Sequence, residues 1–163
     1  MIRFAPLYIH SFRLIAPRKL LDAQLLNEKY HTYGEIDNVP DRLRWCRHQL
    51  GLMQKDSAEA IGVSRSFYIH LENGDCEKYP FLIMDKLAKL YQVPVKDLLD
   101  DYNLFLYYGQ GWQVKALRER RGMSVSQFAQ YLGVYATTVR KWETDQARMS
   151  KSTWEMLFSQ NNV

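Results

Sequence analysis

The chain has 163 residues, of which 47% are hydrophobic and 25% charged, and its net charge is +4. That size and balance suit one domain, or two small ones, of a soluble globular protein. No apolar run approaches the roughly 18 residues that span a bilayer, which excludes a membrane partner, and His10, Ser11 and Arg13 interrupt the apolar N-terminus without a small-residue cleavage site, which argues for a cytoplasmic protein.

Residues 1–40 form an arm unlike the rest of the chain. Leu7 to Ile15 is rich in aromatic and branched residues and reads as a short strand, which Pro17 ends. Leu20, Leu21, Ala23, Gln24, Leu25 and Leu26 then predict one helix that fades at Tyr33-Gly34. The arm either packs on the next segment or serves as a dimerisation or partner-binding element. Residues 41–101 predict five helices, starting from Asp41, a suitable N-cap after Pro40. Leu43, Trp45, Cys46 and Leu50 give the first an apolar stripe, and Gly51 closes it. Gln54 to Ile61 makes the second, with the small Ala58 facing inward. Gly62 is a turn where positive φ is needed. Val63 fills the core, and Ser64 caps the third helix, which runs to Asn73-Gly74. Leu87, Ala88, Leu90 and Tyr91 mark a fourth after Pro80. Pro94 stops it, and Lys96 to Leu99 suggest a short fifth. Cys46 and Cys76 lack metal-site spacing and read as free thiols, with a zinc site shared with His48 and His70 as the lesser alternative.

Residues 102–111 open with Tyr-Asn-Leu-Phe-Leu-Tyr-Tyr over 102–108 and read as an apolar connector. Its composition is not that of a flexible linker, so it packs on a neighbour or forms a self-association surface. Residues 112–163 predict four helices. Val114, Leu117 and Arg118 lie on the first, which Gly122 ends. Ser124 and Gln127 form a capping box for the second, whose Phe128, Ala129 and Leu132 face inward. After Gly133-Val134 the third helix carries Val139 and Trp142 into the core. Ser150 caps a fourth that holds Trp154, Met156, Leu157 and Phe158.

The two units are one pattern written twice. Arg47, Gly51, Ala58, Gly62, Val63 and Glu72 recur as Arg118, Gly122, Ala129, Gly133, Val134 and Glu143, always 71 positions on (47 to 118, 72 to 143). A constant offset marks a repeated supersecondary unit. Their charges differ: residues 41–101 hold nine basic and ten acidic side chains, and residues 111–163 hold eight and four. Clustered positive charge is the footprint of phosphate binding. Leu50-Gly51-Leu52, Gln54, Ala58, Gly62-Val63-Ser64-Arg65-Ser66 and Leu71-Glu72-Asn73-Gly74 resemble the phage-repressor and Cro-like helix-turn-helix family. In shortened form, so do Leu132-Gly133-Val134 and Thr137 to Glu143. The resemblance covers nearly all of both units and implies a mainly all-α fold, with tandem lambda-repressor-like bundles behind the arm.

The resemblance also implies that the third helix of each unit enters the DNA major groove, about 12 Å wide, and reads base edges there. By position, the reading residues are Arg65, Ser66, Phe67, Ile69 and His70 in the first unit. In the second they are Ala136, Thr137, Thr138, Arg140 and Lys141. Gln54 and Asn73 match family positions that hold phosphates. The second unit has Val125 and Asp145 there, with Ser124 and Ser126 as substitutes. Arg47 and Glu72, like Arg118 and Glu143, are 25 positions apart, and in this family such an ion pair links the first helix to the end of the third. Removing one partner of a buried pair costs roughly 3–5 kcal/mol. The second unit offers hydroxyls and cations. The first exposes Phe67 and Ile69, which suit thymine methyls or a protein contact.

The implied function is a sequence-specific transcription regulator that binds double-stranded DNA as a monomer or homodimer. The alternative is an antitoxin or phage-type regulator whose first unit, with residues 1–40 or 102–108, captures a protein partner. The sequence has no glycine-rich phosphate loop, metal-ligand cluster or GxSxG elbow, and His10, His31, His48 and His70 are scattered. Neither an enzyme nor a cofactor is expected.

Overall fold

The computed structural model describes residues 21–76 and 78–158, so the strand expected over Leu7–Ile15 lies outside the described residues. The described residues form an all-α protein with no strand, and none of their helices is long and apolar enough to cross a membrane. The chain divides into two compact units between Leu98 and Leu99.

In the first unit, residues 21–29 are helical (α1) and are followed by a 3₁₀ turn at Tyr33–Glu35. Then come α2 (Val39–Gln49), α3 (Gln54–Ile61), α4 (Arg65–Asn73), α5 (Phe81–Tyr91) and the short α6 (Val95–Leu98). Leu26, Tyr30 and Ile36 are buried together, with Tyr33 and Trp45 packed against them, so the described part of the arm lies on this unit. Leu21 and Leu25 face outward. The N-cap of α2 is Asn38 rather than Asp41. The Asn38 side chain accepts from the Asp41 N–H at 2.9 Å, and Pro40 falls in the first turn, where no N–H is needed. Asp41 is instead a buried clamp that accepts from Lys29 Nζ and Tyr30 hydroxyl, each at 2.8 Å. Leu50, expected on the apolar stripe, is largely exposed at the C-cap of α2.

α3 and α4 form the helix-turn-helix, with α2 packed across α4 and α5 against α3. The turn residue Gly62 has φ +75°, cheap only for glycine. Ser57, Ala58 and Ile61 are buried on one side of α3, and Tyr68 and Leu71 on one side of α4. Leu43 on α2 and Met84 and Leu87 on α5, the helices packed against this pair, are fully buried. α6 closes this bundle by packing on α2 and α5.

The second unit holds α7 (Asp101–Tyr107), α8 (Gln110–Arg120), α9 (Val125–Leu132), α10 (Ala136–Glu143) and α11 (Lys151–Phe158). The stretch read as a connector is therefore helical. Asp100 caps α7 by accepting from the Asn103 N–H at 2.8 Å, and Gln110 and Gly111 are the buried first residues of α8. α7 packs on α8 and α11, the counterparts of the two helices that α6 covers in the first unit. Tyr102 donates to the Met149 carbonyl at 2.8 Å, and Phe105 lies 5.0 Å from Phe158 between ring centroids. A helix placed ahead of the repeat thus fills the place that the first unit fills from behind. The capping box at Ser124 and Gln127 is present, and Ser150 Oγ accepts from the Thr153 N–H.

Candidate nucleic-acid interface

A helix that projects side chains into a groove must itself be held rigidly from behind. In the first unit Glu72, at the end of α4, is fully buried. It accepts from Arg47 Nε at 2.6 Å and from the Arg47 NH2 nitrogen at 3.1 Å. Gln54 Nε2 adds a bond at 2.9 Å and the Tyr68 hydroxyl another at 2.7 Å. Tyr68 also meets the Tyr91 hydroxyl at 2.6 Å, and Tyr91 donates to Ser57 at 3.4 Å. Arg47 NH1 donates to the Leu52 carbonyl, which ties the same cation to the loop before α3. Burial opposes the Arg47 charge, but Glu72 more than offsets it and holds the guanidinium pKa above its usual value. Burial pushes the Tyr68 phenol well above its ordinary range and Tyr91 up to about 12, so both stay protonated at neutral pH.

The second unit repeats the strut with fewer partners. Arg118 Nε donates to Glu143 at 2.6 Å, its NH2 nitrogen at 3.3 Å, and its NH1 to the Met123 carbonyl at 3.0 Å. Val125, Phe128 and Val139 stand where the first unit has Gln54, Ser57 and Tyr68. The Glu143 hydrogen bond raises the Arg118 pKa against a small burial penalty.

The expected reading residues lie on these two anchored helices. Arg65, Ser66 and His70 are exposed on α4, and Thr137, Arg140 and Lys141 on α10. Phe67, Ile69, Ala136 and Thr138 are half-buried, so Phe67 and Ile69 present only part of their surface to a partner. His70 Nδ1 lies 2.8 Å from Asp75. Arg65, Arg140 and Lys141 form no ion pair among the described residues.

The expected phosphate contacts fare unevenly. Gln54 turns inward to Glu72 and lines a cleft of about 390 Å³ whose other wall includes Leu25 and Lys29 of α1. Asn73 is exposed. Its counterpart at the constant offset is Thr144, not Asp145. Thr144 bonds back to the Arg140 carbonyl at 2.8 Å, while Asp145 takes the place of Gly74 with φ +55°. Asp145 accepts from the Gly111 N–H at 3.0 Å, and a Cβ on Gly111 would meet the Glu143 carbonyl at 2.6 Å. The matching contact in the first unit is Pro40 against Gly74, with the bulk on the other partner. Ser124 is exposed, and its oxygen accepts from the Gln127 N–H; Ser126 is exposed. In the first unit Asp56 supplies the equivalent cap, accepting from the Met53 N–H at 2.7 Å, so a carboxylate stands where the second unit has neutral Gln127.

Cys46 is buried and Cys76 half-buried, burial raises both thiol pKa values, and no group able to hold a metal occurs among the described residues. One exposed residue escaped sequence reasoning. Tyr135, just before α10, is 83% exposed. The signal was available, because its repeat counterpart is the capping Ser64.

Two braced pairs of crossing helices, each with an outward third helix, define tandem helix-turn-helix units. A family model described as a helix-turn-helix domain matches residues 41–101 and 111–158, and the chain belongs to that family. No curated protein and no solved structure matches the chain.

Proposed function

We propose that this protein is a sequence-specific transcription regulator that binds double-stranded DNA through both units, with the second supplying more of the electrostatic affinity. The observation that carries this reading is the exposed face of α10. Thr137, Arg140 and Lys141 stand outward on a helix braced from within by Arg118 and Glu143, and both cations lack an intramolecular counter-ion among the described residues. Cations and hydroxyls held in that way suit phosphates and base edges. Two linked heads raise each other's effective concentration on a site with half-sites roughly 34 Å apart.

The test begins with selection of bound duplexes from a random pool, followed by titration at several salt concentrations. Arg140→Ala and Lys141→Ala each weaken binding, and each lost phosphate contact lowers the salt slope by about 1. Unchanged affinity and slope in both variants refute the reading.

A second reading assigns the first unit to a protein partner, as in an antitoxin or phage-type regulator. It draws on the net charge of −1 over residues 41–101, on Asp56 at the start of α3 and on the hydrogen bond that ties Gln54 to Glu72. Arg65→Ala separates the two. Loss of duplex affinity supports reading by both units, and an unchanged affinity beside a weakened Lys141→Ala favours the division of labour.

A further inference from the structure

Tyr135 holds the position that Ser64 holds in the first unit. Ser64 has φ −69° and ψ 150°, and its hydroxyl accepts from the Phe67 N–H at 3.2 Å. Tyr135 has nearly the same backbone, φ −77° and ψ 147°, but its side chain caps nothing. A serine fits that backbone and is among the best N-caps, so tyrosine here gives up helix stability. The core gains nothing in return. The ring is 83% exposed, the most of the large hydrophobic residues described, and its hydroxyl has no hydrogen-bond partner among the described residues. Thr137, Arg140 and Lys141 are exposed on the helix that starts at the next residue. An outward ring with a polar tip, beside unpaired cations, matches a surface that offers both apolar groups and anions. Sugar edges and thymine methyls next to phosphates are such a surface.

We propose that Tyr135 is a duplex-contacting residue of the second unit, with its ring against the sugar or methyl edge of the groove and its hydroxyl donating to a phosphate. This rests on the DNA-binding reading and adds a residue to it.

Tyr135→Ser and Tyr135→Phe in the full chain, measured on the selected duplex beside Lys141→Ala, test it. Tyr135→Ser restores a cap and raises the Tm of the second unit by about 4 °C, while affinity falls about tenfold. Tyr135→Phe loses about threefold, the share of one hydrogen bond. Stability and affinity moving in opposite directions is a result that a merely structural tyrosine does not produce. If Tyr135→Ser binds as tightly as the parent while Lys141→Ala does not, the proposal is overturned and the DNA-binding reading stands. If the parent itself selects no duplex, that reading fails and this proposal fails with it.

Discussion

Arg47–Glu72 and Arg118–Glu143 share a register and a 2.6 Å contact, yet they live in different surroundings. The first pair is 7% and 0% exposed and is ringed by Gln54, Tyr68, Tyr91 and Ser57. The second is 11% and 12% exposed, with Val125, Phe128 and Val139 at the matching positions. A carboxylate taken fully out of water needs several donors to offset its desolvation. One left near the surface needs only its arginine. The polar satellites of the first unit are therefore the consequence of burying Glu72 more deeply, and the second unit spends the same positions on apolar packing.

Arg47→Met tests that contrast most severely. It strands a buried carboxylate and destabilises the first unit by about 3–5 kcal/mol, whereas Arg118→Met costs the second about 1–2 kcal/mol because water reaches Glu143. Urea unfolding that resolves the two units reads both, and equal losses would break the comparison. Gly111→Ala drives a methyl into the Glu143 carbonyl and costs about 2 kcal/mol by overpacking. Pro40→Ala at the matched contact removes bulk instead and shifts the midpoint far less. Tyr68→Phe removes one donor to Glu72 and costs about 1 kcal/mol. The matched Val139→Thr buries a hydroxyl in an apolar core and costs about 1 kcal/mol.

The smallest effect is one of pH. Burial opposes the Asp41 charge, but hydrogen bonds from Lys29, Tyr30 and Asn38 outweigh it and hold its pKa below the usual 3.8. A carboxylate with a depressed folded pKa adds stability that is fully present above the unfolded pKa and lost as pH falls through the folded one. Acid titration below about pH 4 therefore loosens α1 from α2, and Asp41→Asn abolishes that dependence in an NMR or fluorescence titration of Trp45. The second unit has Trp112 at this position and shows no counterpart.

Much of this is legible in the sequence. The constant offset, the turn glycines and the Ser124–Gln127 box mark the helix-turn-helix cores, because cap and turn chemistry is local. What the sequence hides is decided by tertiary packing. Residues 102–108 are almost continuously apolar, so they carry no helical period. The Asp100 cap is visible only once α7 is seen to need one. Asp41 looks like a cap because Pro40 looks like a stop, although proline in a first turn starts a helix as readily. Nothing local to Gln54 announces that Glu72 will claim its amide. Among the candidate contact residues, exposure follows the helical period closely, while Phe67 and Ile69 sink halfway in because α4 carries its apolar stripe wider than three positions.

The early position of α7 also governs where the gene can be cut. A fragment begun at Trp112, where the motif alone suggests a boundary, would strip Tyr102 and Phe105 from Trp154 and Phe158 and leave a bare aromatic surface prone to aggregation. Begun at Leu99, the fragment retains its own lid and the Asp100 cap.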